Sequence, residues 1–252
     1  MSFYEISKEK RQQCVSLIHQ EILQELRNQN NDRINKNFSD EDTYIRKAAY
    51  QAFGKIYLYD ECIRDKIISQ LKLLMLSENE KIRQTAVNAA GEIGMKDFTI
   101  IERIMETGLF DTHHIVKNAV IGSIKKMIEK NPLPVLKFAR KFLYHENPEI
   151  RREICHGIEL RGRTHPQDIL PLLEELQFEV KPRVRNTLIH VLGQISYKKN
   201  CLETVVNHLK YWENKDLVVK VMEEIIDVHD RYKNFAVKTQ HEAISYIDNN
   251  LN

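Results

Sequence analysis

A pair made of a β-branched residue and a cation recurs along this chain, and each time it opens a stretch with helical periodicity. IRKAAYQAFGKIY starts at Ile45, IRQTAVNAAGEIG at Ile82 and VKNAVIGSIKKMI at Val116. IRREICHGIELRG starts at Ile150 and VRNTLIHVLGQIS at Val184, while VKVMEEIIDVHDR, at Val219, is the weakest copy. The starts are separated by 37, 34, 34, 34 and 35 residues. A sustained period in the thirties marks a stacked array of small units rather than one compact core.

Within each copy the first, fifth, eighth and twelfth positions are mostly apolar or small. They are Ile45, Ala49, Ala52 and Ile56 in the first copy, Ile82, Ala86, Ala89 and Ile93 in the second, and Val184, Leu188, Val191 and Ile195 in the fifth. Offsets of 4, 7 and 11 keep one face of a helix turned inward, and small residues there admit a neighbouring helix closely. This element is helix B of each unit. Another apolar helix, A, precedes it, as in the segments beginning at Cys62, Leu133 and Gln167. Short polar turns such as SENEK, HENPE and EVKPR join A to B, and Pro148 and Pro182 stand where a first helical turn tolerates proline. A helix pair of this kind needs neighbours to cover its apolar faces.

The I/V–R/K pair opening helix B, an acidic or polar residue six positions earlier (Asp40, Ser77, Asp111, His145, Glu179, Asn214) and a proline inside a helix A (Pro171) together resemble the HEAT-repeat family over residues 40–230. The fold this implies is all-α: a right-handed α-α superhelix, or solenoid, of about six HEAT-like helix pairs with helical caps. The expected organisation is a single domain over 1–252, with a capping helix and loop in 1–39, repeats in 40–231 and a C-terminal capping helix in 232–252. The cap is read at residues 7–27, the Asn-rich stretch NQNNDRINKNFSD as a loop, and the last helix as starting near Phe235. In the sixth copy Glu223, Asp227 and Asp230 take positions that are apolar elsewhere, as a cap or a rotated helix would require.

Bulk properties narrow the class. A formal charge of +2, from 38 basic and 36 acidic residues, carries no chain-wide signature of nucleic-acid binding. Cys14, Cys62, Cys155 and Cys201 are far apart and form no C-x-x-C pair, which reads as free thiols in a reducing cytoplasm. The charged N-terminus has no apolar signal-peptide core, and no segment has the roughly 18–20 apolar residues of a membrane span.

In the HEAT family the helix-B cations form a structural ladder, a role the resemblance gives to Arg46, Arg83, Lys117, Arg151, Arg185 and Lys220. The opposite face of helix B, at the third, seventh and tenth or eleventh positions, is the side such arrays usually expose in their concave groove. Here it carries Lys47, Gln51 and Lys55, then Gln84, Asn88 and Glu92, then Asn118, Lys125 and Lys126. Farther on it carries Arg152, His156 and Glu159, then Asn186, His190 and Gln194. The stripe is polar, amide-rich and mildly basic, and serves either as solvated surface or as a binding groove. The binding residues expected of a groove are Lys47, Gln51, Lys55, Gln84, Asn88, Asn118, Arg152, His156, Asn186 and His190. Residues 181–199 hold five cations and no carboxylate, whereas 213–230 is acidic, a contrast that suits an oriented partner or plain surface variation.

There is no H-E-x-x-H, G-x-S-x-G or P-loop, and His113-His114 has no second ligand pair at zinc spacing. No catalytic residue, metal or small-molecule cofactor is therefore expected. The leading expectation is a cytoplasmic, non-catalytic scaffold that binds a protein or peptide along the groove. The alternative is DNA binding, because size and repeat count are similar to the bacterial HEAT-like DNA alkylation-repair family, whose members hold DNA in a basic concave surface. Glycosylases of that family use concave aromatics and a carboxylate. Here only Glu92 and Glu159 could supply the carboxylate, and helix B offers no tryptophan.

Overall fold

The computed structural model describes residues 3–28 and 30–251. The chain is all-α, with no strand among the described residues, and divides into two compact units, residues 1–131 and 132–252. No helix among the described residues is long and apolar enough to cross a membrane. All four cysteines are free.

The first unit contains α1 (Lys8–Asn28), α2 (Asp32–Ser39), α3 (Thr43–Tyr59), α4 (Arg64–Leu74), α5 (Glu80–Gly94), α6 (Phe98–Leu109) and α7 (His114–Lys130). Three A–B pairs result: α2/α3, α4/α5 and α6/α7. The B helices stack in chain order, α3 on α5 and α5 on α7, and α1 packs beside α3. The second unit contains α8 (Pro132–Leu143), α9 (Pro148–Gly157), the short α10 (Glu159–Gly162), α11 (Pro166–Glu174), α12 (Pro182–Gln194), α13 (Cys201–Leu209), α14 (Lys215–Arg231) and α15 (Gln240–Leu251). Its pairs are α8 with α9–α10, α11/α12 and α13/α14. Helix α12 packs between α9 and α14, and α15 closes on α13 and α14. Among the described residues six helix pairs are thus present, as the repeat predicts.

The start of each B helix follows from local chemistry. Asp42, Asn79, His113 and Asn147 each stand three residues before the first position of a copy, and the side chain of each accepts the amide of the residue two places on. Such caps satisfy amides that have no partner within the helix. Pro148 and Pro182 occupy the first helical turn. His113, one of the tandem histidines, is therefore a cap: its Nδ1 accepts from the Ile115 amide at 3.4 Å.

In the first, second and fifth copies stacking depends on glycine at the tenth position. A Cβ on Gly91 would lie 2.5 Å from Ser123 Oγ, one on Gly54 2.6 Å from Glu92 Cβ, and one on Gly193 2.5 Å from Glu224 Cγ. In IRQTAVNAAGEIG the small residues Ala86, Ala89, Ala90 and Gly91 are buried, so they serve close approach of α3 and α7.

The ladder cations Arg83 and Arg151 act as clamps. Arg83 donates through Nη1 to the carbonyls of Ser77 (2.8 Å) and Glu78 (3.0 Å), and through Nε and Nη2 to Asp111 at 2.7 and 3.0 Å. Arg151 repeats the pattern on the carbonyls of His145 and Glu146 and on Glu179. The residue six positions back is thus held through its backbone, and the carboxylate comes from the next turn, 28 residues on. Among the described residues Arg46 hydrogen-bonds the carbonyls of Asp40 and Glu41 and no carboxylate, since Leu74 stands 28 residues on. Lys117, Arg185 and Lys220 make no ion pair among the described residues.

Three expectations need correction. The Asn-rich segment is not all loop: Asp32–Ser39 is helical, with Ile34, Asn37 and Phe38 buried on one face (Gln29, in the same segment, lies outside the described residues). Its first turn is capped from a distance, as the Glu25 carboxylate accepts the Arg33 and Ile34 amides at 2.9 and 2.8 Å. The sixth copy begins at Leu217 rather than Val219: its cap Asn214 stands three residues before Leu217, and Leu217, Val221 and Val228 are its buried first, fifth and twelfth positions, whereas Val219 is exposed. Lys220 is therefore out of register with the ladder, and Glu223, Asp227 and Asp230 simply face out. The last helix begins at Gln240, not near Phe235. Thr239 and Glu242 form a reciprocal capping box there, and Phe235 and Val237 lie exposed in the preceding loop.

Candidate functional site

The outward stripe of the B helices differs in chemistry between the two units. In the first, Lys47 and Lys55 on α3 are exposed and Gln51 half-buried. Gln84 and Asn88 on α5 are half-buried, and Asn118 on α7 is exposed. Glu92 is neutralised by Lys126 at 3.2 Å, and the same ammonium lies 5.3 Å from the centroid of the Tyr50 ring. Lys47 and Lys55 make no ion pair among the described residues, which leaves this stripe basic and rich in amides.

Helix α1 belongs to the same face, although no motif in the sequence marks it. A cleft of about 370 Å³ lies between α1 and α3, with Val15, Ser16, His19 and Gln20 on one wall and Ala48, Gln51, Ala52 and Lys55 on the other. Two of the expected binding residues, Gln51 and Lys55, therefore line a cavity with partners that only the fold reveals. Burial, with the Lys55 cation beside it, holds the His19 imidazole below the usual histidine range. His19 contributes a neutral ring at pH 7.

In the second unit the stripe is a self-neutralising network. Arg152 donates to Glu149 at 2.7 Å and also pairs with Glu153. His156 Nδ1 lies 2.9 Å from Glu159 Oε2, and Arg163 pairs with the same carboxylate while donating to Gln194 Oε1 at 2.9 Å. The His156 and His190 rings are 6.4 Å apart, and His190 Nδ1 lies 3.6 Å from Glu224, which also takes Arg231 at 3.0 Å. Asn186 is exposed on the same helix as His190. Glu153 is buried, which raises its pKa, with Arg152 opposing the shift.

Helix α9 ends at Gly157, inside what the sequence presents as one helix B, and the turn at Ile158 leads into α10. Glycine weakens a helix interior, and Glu159, the first residue after this break, is almost fully buried. The fold thus brings Arg152, His156 and His190 together but surrounds them with Glu149, Glu153, Glu159 and Glu224. Glu149 and Arg163 were findable from sequence as i,i+3 and i,i+4 partners of Arg152 and Glu159. Glu224, from the next pair, was not.

Among solved structures, AlkD2 from Streptococcus mutans is similar with a TM-score of 0.53 and 18% identity, over 81% of this chain and 96% of that one. The protein smu.31 from Streptococcus mutans UA159 gives a TM-score of 0.54 at 17% identity, over 81% and 97% of the two chains. At these identities the likeness is one of fold. No curated protein sequence matches the chain. Residues 22–149, from the middle of α1 into the first turn of α9, match the family model described as Cnd1, non-SMC mitotic condensation complex subunit 1. That match spans half of the 252 residues, and the chain belongs to this family of HEAT-like helical-repeat proteins.

Proposed function

We propose that this protein is a non-catalytic scaffold whose B-helix stripe binds a protein or peptide partner. The observation that supports this most is the chemistry of the stripe on α3, α5 and α7. Gln51, Gln84, Asn88 and Asn118 offer amide donors and acceptors suited to a peptide backbone, and Lys47 and Lys55 add positive charge that no ion pair neutralises among the described residues. Arg152, His156, Asn186 and His190 extend the proposed binding residues into the second unit. Membership in a family described as a subunit of a mitotic condensation complex agrees with a role inside a protein assembly.

The reading is tested by affinity capture with the wild-type chain and with a folded Lys47→Glu/Asn88→Glu variant, with partners identified by mass spectrometry. A protein captured by the wild type and lost with the variant is the expected result; an unchanged set of captured proteins sinks the proposal. DNA binding is checked in parallel by fluorescence anisotropy with labelled duplex, branched and single-stranded DNA. Phosphate binding weakens steeply with salt, because each neutralised phosphate releases counterions. Tight DNA binding with a steep salt slope, lost in the same variant, would replace the protein partner with nucleic acid.

A further inference from the structure

We infer that the cleft between α1 and α3 is a docking site for an acidic peptide segment that carries one apolar anchor side chain. This inference rests on the scaffold reading and adds the location and the chemistry of a partner.

The floor of the cleft is apolar. Ala48 and Ala52 are 6% and 3% exposed, and Val15 closes the opposite wall. Its volume, about 370 Å³, falls within the range of roughly 300–1,000 Å³ typical of ligand-sized clefts. The rim is polar, with Ser16, Gln20 and Gln51 offering hydrogen bonds. Along α1 the cleft runs into a second, more open depression that shares Val15 and Ser16 with it and adds Phe3, Lys8, Arg11 and Gln12. Among the described residues no carboxylate lines either depression, and Lys8, Arg11 and Lys55 bring positive charge to the trough, although Glu9 on the same helix lies close enough to Arg11 to interact with it. An apolar floor between cations suits an apolar side chain flanked by carboxylates: burial of the side chain gives affinity, and the charges set register and speed of encounter.

The cations would serve a phosphate as well as a carboxylate, and it is the apolar floor that favours a peptide over a nucleic-acid strand. Single strands bind by stacking bases on free aromatic faces. Here Phe3 stacks on Tyr44 at 5.9 Å, Tyr4 meets Tyr44 edge-on at 4.2 Å, and Arg11 covers the Tyr4 ring at 5.2 Å. The floor presents the methyl groups of Ala48 and Ala52, which suit an apolar side chain.

The test uses the full chain and an array of short fluorescein-labelled peptides, each with one Val, Leu, Ile, Met or Phe flanked by Glu or Asp. Each peptide has a twin with Gln in place of the acids and another with Ser in place of the apolar residue. Binding is read by anisotropy against wild type, Ser16→Trp, Lys55→Glu and the control Lys72→Glu, an exposed position on α4. Ser16 is exposed, so a tryptophan there obstructs the cleft without entering the core, and intact folding is checked by thermal unfolding. The expected result is micromolar binding of some array members, tenfold or weaker binding of both twins, and a tenfold or greater loss with Ser16→Trp and with Lys55→Glu but not with Lys72→Glu. An array in which no peptide outperforms its twins overturns the inference, as does binding indifferent to Ser16→Trp. Single-stranded DNA that outcompetes the best peptide and is itself displaced by Ser16→Trp overturns the peptide class. The scaffold reading is judged separately, by partner capture with Asn186→Glu in the second unit, so the cleft can fail while the scaffold stands.

Discussion

Replacing Arg83 by Met should cost about 3 kcal/mol of stability. The side chain makes four hydrogen bonds, two to backbone carbonyls of its own A–B turn and two, as a fork, to Asp111 of the next turn. The two side chains are 14% and 8% exposed, so Met would leave the Asp111 carboxylate nearly buried with its cation gone. Breaking a buried pair from one side costs roughly 3–5 kcal/mol. The lower end applies here because Asp111 keeps the His113 amide at 2.8 Å. Arg46 supplies an internal control: it holds the same two carbonyls without a carboxylate, and Arg46→Met should cost only about 1 kcal/mol. Urea unfolding followed by far-ultraviolet circular dichroism measures both, provided the two variants share the wild-type m-value. A cycle with Asp111→Asn should show a coupling of about 1–3 kcal/mol. If Arg83→Met loses no more than Arg46→Met, the fork to the next turn contributes nothing and the clamp is refuted.

Three further outcomes are expected. Gly91→Ala should destabilise by about 1–2 kcal/mol despite a gain of about 1 kcal/mol in helix propensity, because its Cβ meets Ser123; adding Ser123→Gly should recover part of the loss, and a Gly91→Ala protein more stable than wild type would contradict the close packing of α5 on α7. Glu25→Ala removes the acceptor of two amides and should cost about 1–2 kcal/mol while raising hydrogen exchange in residues 32–39; unchanged exchange there would show that α2 does not depend on this cap. Burial works against the Asp111 and Glu179 carboxylates, but hydrogen bonds from Arg83 and Arg151 outweigh it and hold both below the usual carboxylate range. Both groups therefore contribute stability in full above their unfolded values of about 4, and that stability drains away as pH falls through the lower folded values. Arg83→Met should flatten this acid limb in urea titrations, and an equally steep limb in the variant would contradict the assignment.

Much of the architecture was legible because the repeat writes the same physics several times. Small residues at the inward positions, prolines in first turns and the short polar turns between A and B are local signals, and each produced the element it implied. What escaped the sequence was set at a distance. Helix α2 hides among asparagines because its cap, Glu25, sits on another helix. The sixth copy was misregistered because Val219–Lys220 supplies the opening pair in the sequence, whereas the Asn214 cap and the burial of Leu217, Val221 and Val228 set the register of the helix two residues earlier. The polar stripe on α3, α5 and α7 was readable from spacing, whereas the α1 wall of the cleft was not, since α1 lacks the opening motif. The carboxylate beside His190 was missed for a similar reason, as Glu224 arrives from α14.

The most direct test of the scaffold reading is site-specific photo-crosslinking in the assembled complex. A photoreactive residue is placed at Gln51 or Asn88 on the B-helix stripe, and at Lys72 or Arg103, exposed on the A helices α4 and α6. The captured partner should crosslink from Gln51 and Asn88 and not from Lys72 or Arg103. Crosslinks arising only from the A-helix positions would place the partner on the opposite layer and contradict the proposed binding face.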